Sequence, residues 1–323
     1  MKIALLGVSH WHADMHLDAA ISSGGEVIAV WDQNGEIAAR FAADHGLRAR
    51  SNVRHVIDDE PDLVVVMGHP HAVPDLALEI MAAPLPMILE KPAITSTVGL
   101  APLVDQARKR DSFVGVPLPN RFGPIFREMA RLDAAERLGS LAHGHFRIIN
   151  GPPQRYRDDG VSWLLDPMAS GGGALRNLGI HGIDAALSLA QGALRVTAAT
   201  MGHRIHREPV EDHALVTLVD EAGALFTVEA GYTYASMAPG GDFEWRIATS
   251  NAYLVDHGET ARCATLDDGH TRALEPEHPA TRYRLFMADT LDRLRAGAPP
   301  TVGIEDYQAA MQLIDAAYEK ANP

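Results

Sequence analysis

Two short stretches carry residues able to move a proton beside a fixed charge. Glu90-Lys91-Pro92 directly follows the apolar run 87–89. If that run is a strand of a parallel sheet, Lys91 stands at the C-terminal strand edge, where such sheets bind ligands. An ammonium there can stabilise a developing oxyanion, and Pro92 restricts the backbone that carries it. Taken alone, the tripeptide reads more readily as an ordinary surface lysine. The second stretch is Gly171-Gly172-Gly173-Ala174-Leu175, expected to be a flexible turn. It runs into Asn177-Leu178-Gly179-Ile180-His181-Gly182-Ile183-Asp184. Spacings of four and three put Asn177, His181 and Asp184 on one helical face. An imidazole there suits a general base near neutral pH. The plainer alternative is a core histidine satisfied by Asp184.

A third stretch, Gly7-Val8-Ser9-His10-Trp11-His12, follows the first apolar run and occupies the place of a G-x-G-x-x-G turn. Those glycines let the backbone approach a pyrophosphate at a helix N-terminus. Only Gly7 is kept, with Ser9 and His12 at the other two positions. Asp32 lies about twenty residues further on, where a carboxylate accepts the adenosine ribose hydroxyls. Its charge would repel a 2′-phosphate, which favours NAD over NADP. Capping of the next helix is the alternative role for Asp32. His10, His12, Asp14 and His16 also permit a metal-dependent hydrolase, since an H-x-H can bind a metal and His12 and His16 are one helical turn apart. No later metal-ligand signature follows, so no metal is expected.

The elements that must position these residues alternate in the first third. Apolar runs at 3–6, 27–31, 63–67, 87–89 and 113–116 are separated by helical patterns at 13–21, 35–44, 74–82 and 98–109. Strand–helix alternation predicts a doubly wound parallel sheet. The pattern changes after residue 119. One helix at 125–132, a long strand at 141–149 and a buried helix at 178–189 precede runs at 194–200, 213–219, 224–234, 243–248 and 252–256. Consecutive strands with short turns, including a hairpin at Asp220-Glu221-Ala222-Gly223, predict a mostly antiparallel open sheet. Helices at 282–296 and 304–321 close the sequence. The fold class is therefore α/β, with a Rossmann domain over 1–119 and an α+β domain over 120–323.

Composition narrows the partners. With 28 Lys and Arg against 42 Asp and Glu, the net charge of −14 argues against nucleic acid, which needs a basic face. No stretch approaches the roughly 20 apolar residues of a membrane span. Cys263 is the only cysteine, so no internal disulfide forms and a reducing cytoplasm is expected.

Together, Val30-Trp31-Asp32, Glu90-Lys91-Pro92, Asn120-Arg121-Phe122, the triple glycine with its GxHxxD helix, Val210-Glu211-Asp212 and the 295–300 turn resemble the Gfo/Idh/MocA oxidoreductases. The resemblance covers nearly the whole chain. It implies an NAD(P)-dependent dehydrogenase that moves a hydride between nicotinamide and a hydroxyl of a sugar, polyol, inositol or sugar acid. It implies Lys91 and His181 as catalytic residues, with Asn177 where an aspartate is frequent. Gly7, Ser9, His10, Trp11, His12, Asp32, His69, Pro70, His71, Glu90 and Lys91 would face the cofactor. Asn120, Arg121, Trp163, Arg176 and Asp184 would face the substrate. A homodimer or homotetramer through the C-terminal sheet is also implied. The altered glycine turn and Asn177 leave a second reading open, a non-catalytic NAD-binding regulator on the same fold.

Overall fold

The computed structural model describes residues 1–238 and 240–321. It divides into two compact units. The first comprises Met1–Pro117 and Tyr283–Gln308; the second comprises Leu118–Arg282 and the residues from Ala309.

In the first unit, β1 (Lys2–Leu6), α1 (Ala13–Ser22), β2 (Glu26–Trp31), α2 (Gly35–His45), α3 (Val53–Ile57), β3 (Leu63–Val66), α4 (Val73–Ala82), β4 (Met87–Leu89), α5 (Thr97–Arg110) and β5 (Val114–Gly115) follow in order. The described strands form one parallel sheet, β2-β1-β3-β4-β5. β3 and β4 are buried at every residue, as a sheet covered on both faces requires. The strand order reverses beside β1, so the turn after β1 sits at the switch point where such sheets take ligands.

The second unit contains α6 (Pro124–Ala134), β6 (Leu141–Asn150), α7 (Gln154–Asp158), α8 (Pro167–Ser170), α9 (Ile180–Leu189), β7 (Arg195–Gly202), β8 (His213–Val219), β9 (Leu225–Gly231), β10 (Gly241–Thr249), β11 (Ala252–Asp256), β12 (Ala261–Thr265) and β13 (Thr271–Leu274). Its described strands form the sheet β13-β12-β11-β10-β6-β9-β8-β7. Pairing is antiparallel except between β6 and β9. The expected hairpin joins β8 to β9, with Gly223 at φ +91°. Ala214, Val216, Leu218, Phe226, Val228 and Ala230 are buried on one sheet face. α9 packs closely on that face: a Cβ on Gly182 would lie 2.9 Å from the Phe146 Cβ and Val228 Cγ1. Leu215 and Leu225 on the other face are exposed.

Two long helices, α10 (Pro279–Ala296) and α11 (Ile304–Ala321), close the chain. The pattern change at 119 would assign them wholly to the second domain. The structure instead gathers 283–308 with the first unit. The contacts explain it: Val116 N donates to Val302 O at 2.9 Å, and Ala93 N to the Tyr307 hydroxyl at 3.2 Å. Periodicity also misses α3, the short helices α7 and α8, and strands β12 and β13. Each is short, and β13 is mostly exposed, so none presents a clear apolar period.

Candidate active site

In the first unit β1 delivers Gly7 into a turn that only glycine fits. Its φ is +78°, and a Cβ there would lie 2.1 Å from the Met67 carbonyl oxygen. Asp32 leaves β2 beside it. Its carboxylate accepts from the Ser9 amide at 2.7 Å and the Asn34 amide at 2.8 Å. Ser9 therefore keeps the turn closed where the motif has glycine. Asp32 is not the cap of α2; Asn34 is, accepting from the Glu36 amide at 3.0 Å. A cleft of about 880 Å³ opens at this edge, lined among others by Gly7, Ser9, Asp32, Gly68, His69 and His71. A carboxylate has about four lone-pair sites, so Asp32 retains acceptors for a diol. The cleft, the close-approach glycine and this acid fit a dinucleotide.

The other turn residues pack against one another, and His12 faces Glu90. His10 stacks on Trp11 with centroids 3.9 Å apart, and His12 meets both rings edge-on. Burial holds His10 well below the usual imidazole range, with the His12 charge adding to the drop. Burial also lowers His12, against the pull of Glu90. His12 and His16 do share a face, and what they face is Glu90. His16 Nε2 lies 2.5 Å from Glu90 Oε2, and His12 Nδ1 lies 3.5 Å from Oε1. Tyr283 Oη lies 3.0 Å from His12 Nδ1. Among the described residues no group of three or more His, Cys, Asp or Glu is arranged to hold a metal ion.

Glu90, expected among the cofactor contacts, is only 2% exposed and is engaged by protein. Besides His16 it accepts from the Lys91 amide at 2.8 Å. Burial would raise this carboxyl, yet the charge and hydrogen bonds of His12 and His16 hold it well below the usual range. We therefore read it as ionised. Lys91 follows at the end of β4, and its bond to Pro92 is cis. Burial brings its ammonium down to about 8, with the Glu90 charge opposing the drop. His69 and His71 stack at 5.0 Å on the cleft wall, while Pro70 between them is buried.

In the second unit the triple glycine is clamped, not flexible. A Cβ on Gly172 would fall 2.1 Å from Tyr318 Oη, and one on Gly173 would fall 2.3 Å from Glu211 O. Glu211 accepts from the Gly173 and Leu175 amides, both at 2.9 Å, closing the start of the helical segment. That segment opens as a π-helical turn over Leu175–Gly179 before α9 begins. Asn177 is buried and donates to the hydroxyl of Tyr232 at 3.1 Å and of Tyr156 at 3.4 Å. Burial pushes the Tyr156 phenol up to about 12 and Tyr232 well above its ordinary value. Both phenols therefore stay protonated and able to donate. His181 stands half-buried in the first turn of α9.

Asp184, three residues on, accepts two hydrogen bonds from Arg121, from Nε at 2.8 Å and from Nη2. Arg176 is committed to structure: Nη2 donates to Asp315 at 2.6 Å, Nε to Gly171 O at 2.9 Å, and the guanidinium lies over Tyr318. Asn120 likewise accepts from the buried Arg282 at 3.0 Å, and Arg282 pairs with Asp256 at 2.6 Å. Trp163 lies half-buried in the 3-10 turn Ser162–Leu165. The two tyrosines around Asn177 escaped the sequence reading, because β9 and the α7 helix bring them from 55 and 21 residues away.

Residues 1–117 match the model of an oxidoreductase family with an NAD-binding Rossmann fold, and residues 126–255 match that of the GFO/IDH/MocA C-terminal domain. The chain belongs to the Gfo/Idh/MocA family. Inositol 2-dehydrogenase 2 of Saccharopolyspora erythraea is 31% identical over 247 residues, spanning 72% of this chain and 68% of that one. Solved structures share the family fold. An inositol dehydrogenase homolog from Azotobacter vinelandii, complexed with NAD+, has a TM-score of 0.85 at 16% identity, covering 100% of this chain and 95% of that one. An oxidoreductase from Agrobacterium radiobacter, in complex with NAD+, L-tartaric acid and magnesium, has a TM-score of 0.84 at 18% identity, with coverage of 99% and 96%. Levoglucosan dehydrogenase with NADH and levoglucosan has a TM-score of 0.86 at 17% identity, with coverage of 99% and 97%. This Gfo/Idh/MocA member is thus an oxidoreductase-family protein with an NAD-binding Rossmann domain. Among the described residues no helix is long and apolar enough to cross a membrane.

Proposed function

We propose that the protein is an NAD-dependent dehydrogenase acting on a carbinol of a neutral polyol, inositol or sugar. The observation that carries this reading is Lys91, a buried ammonium at the end of β4 that burial brings down to about 8. A buried cation at a strand edge serves a developing negative charge. Asp32 would hold the adenosine ribose diol, and the backbone at Gly7 would meet the pyrophosphate. NAD, when bound, supplies the hydride acceptor. His181 would take the hydroxyl proton, Lys91 would stabilise the alkoxide, and Asn177 would orient polar groups from its tyrosine-backed position.

Two arginines bear on the substrate class. Arg121 and Arg176 are the cations a sugar acid would use, and each is already paired with a carboxylate, Asp184 and Asp315. That favours an uncharged substrate, in keeping with the inositol 2-dehydrogenase relative. Cytoplasmic placement and assembly through the C-terminal sheet belong to the same reading. The test is purified protein with NAD+ and a panel of myo-inositol, neutral aldoses and their acids, following reduced nicotinamide. Turnover on a neutral member supports the reading. NAD binding in calorimetry with no turnover on any member favours the non-catalytic regulator.

A further inference from the structure

The carboxylate of Glu90 has no part in the chemistry above, yet both of its oxygens are engaged by protein. It is sealed from solvent, and four elements supply its surroundings. His16 comes from α1, His12 from the turn before it, Tyr283 from α10 and the Lys91 amide from the chain after β4. Oε2 meets His16 Nε2 at 2.5 Å; Oε1 meets the Lys91 amide at 2.8 Å and faces His12 Nδ1 at 3.5 Å. His16 is completely buried, and among the described residues its Nδ1 has no hydrogen-bond partner. Its polar attachment is therefore to Glu90. A buried ring aimed with one nitrogen at one carboxylate is a costly arrangement for packing alone.

We propose that His16 is a positioning residue for Lys91, acting through Glu90. It locks the carboxylate where Oε1 fixes the Lys91 backbone and where its charge keeps the Lys91 side chain cationic. The ionisable groups around this carboxylate are His10, His12, His16, Lys91 and Tyr283. His10 and His12 are pushed toward the neutral form by burial. Burial raises the Tyr283 phenol well above its ordinary value, so it is uncharged. Glu90 is then the negative charge that offsets the desolvation of Lys91. A freely rotating Glu90 would hold neither the amide nor the ammonium.

The consequence is readable without substrate or cofactor, which separates it from the assignment of Lys91 to the reaction. The sequence contains four lysines, Lys2, Lys91, Lys109 and Lys320. Protein labelled with 13C at the lysine ε-carbon gives four signals, and Lys91→Arg identifies the one that matters. Its titration midpoint is compared among wild type, Glu90→Gln, His16→Met and His16→Gln. An opposite charge within about 4–6 Å is worth about one pH unit or more. Glu90→Gln should lower the midpoint by that amount. His16→Met should lower it in the same direction, and His16→Gln, whose amide can still donate to Glu90, should restore most of the wild-type value. An unchanged midpoint in folded His16→Met overturns the proposal. So does His16→Gln falling as far as His16→Met. If His16→Met does not fold, Glu90→Gln decides, and an unchanged Lys91 midpoint there overturns it.

Discussion

Asn177 donates to the Tyr232 hydroxyl at 3.1 Å from inside a π-helical turn, one turn before His181. Both partners are buried, so the amide is fixed by a phenol that cannot ionise near neutral pH. Asn177 brings hydrogen bonding without charge to the neighbourhood of the proposed base.

Asn177→Asp adds that charge. A carboxylate near an imidazole favours its protonated form, and a base works only when unprotonated. The acidic limb of the kcat/KM profile should therefore move to higher pH. A limb that stays put, or moves lower, shows that positions 177 and 181 are not coupled.

Asp32→Ala removes the proposed acceptor for the ribose diol and frees the Ser9 and Asn34 amides. Hydrogen bonds to a charged group are worth about 1.5–3 kcal/mol. NAD affinity in calorimetry should fall by about ten- to a hundredfold, and the preference over NADP should narrow. Tighter binding of NADP than NAD by the wild type would contradict the assignment.

Lys91→Ala should lower kcat by about a hundred- to a thousandfold, the effect of deleting one oxyanion donor, while leaving NAD binding within a few-fold. In the proposed role Lys91 would act as a cation, competent below its value of about 8 and losing that competence as pH rises through it. Wild-type kcat/KM should show a basic limb there. Equal kcat in the variant at saturating substrate removes Lys91 from the mechanism.

Gly7→Ala forces a side chain into a left-handed backbone position and against the Met67 carbonyl. The backbone strain alone costs on the order of 1–3 kcal/mol. The thermal midpoint should drop, and added NAD should no longer raise it as in wild type.

The open face of the second sheet carries Leu215 at 43% and Leu225 at 60% exposure. A partner subunit is expected there. Leu215→Glu with Leu225→Glu should shift the mass in sedimentation from oligomer to monomer; a monomeric wild type at micromolar concentration excludes the interface.

How far the sequence reached follows from what each residue depends on. The parallel sheet was legible because strands such as Leu63–Val66 are apolar at every position and are separated by helices. Asp32 was legible from its distance to the turn. The engagement of Glu90 by protein was not legible because His12 and His16 converge on it only in three dimensions. The carboxylates that pair Arg176 and Arg121 lie 139 and 63 residues away, so neither ion pair was legible in the sequence. The triple glycine looked loose because nothing local announces Tyr318 and Glu211 pressing on it.

The central claim is direct hydride transfer from a carbinol carbon of a neutral polyol to NAD. The most direct measurement uses the neutral polyol accepted in the panel, deuterated at that carbon, and reads the mass of the reduced nicotinamide formed by wild type and by Lys91→Ala. Deuterium in the reduced cofactor from wild type, with formation strongly slowed in the variant, is the expected result. Reduced cofactor that carries no deuterium, or that forms equally fast in both proteins, contradicts it.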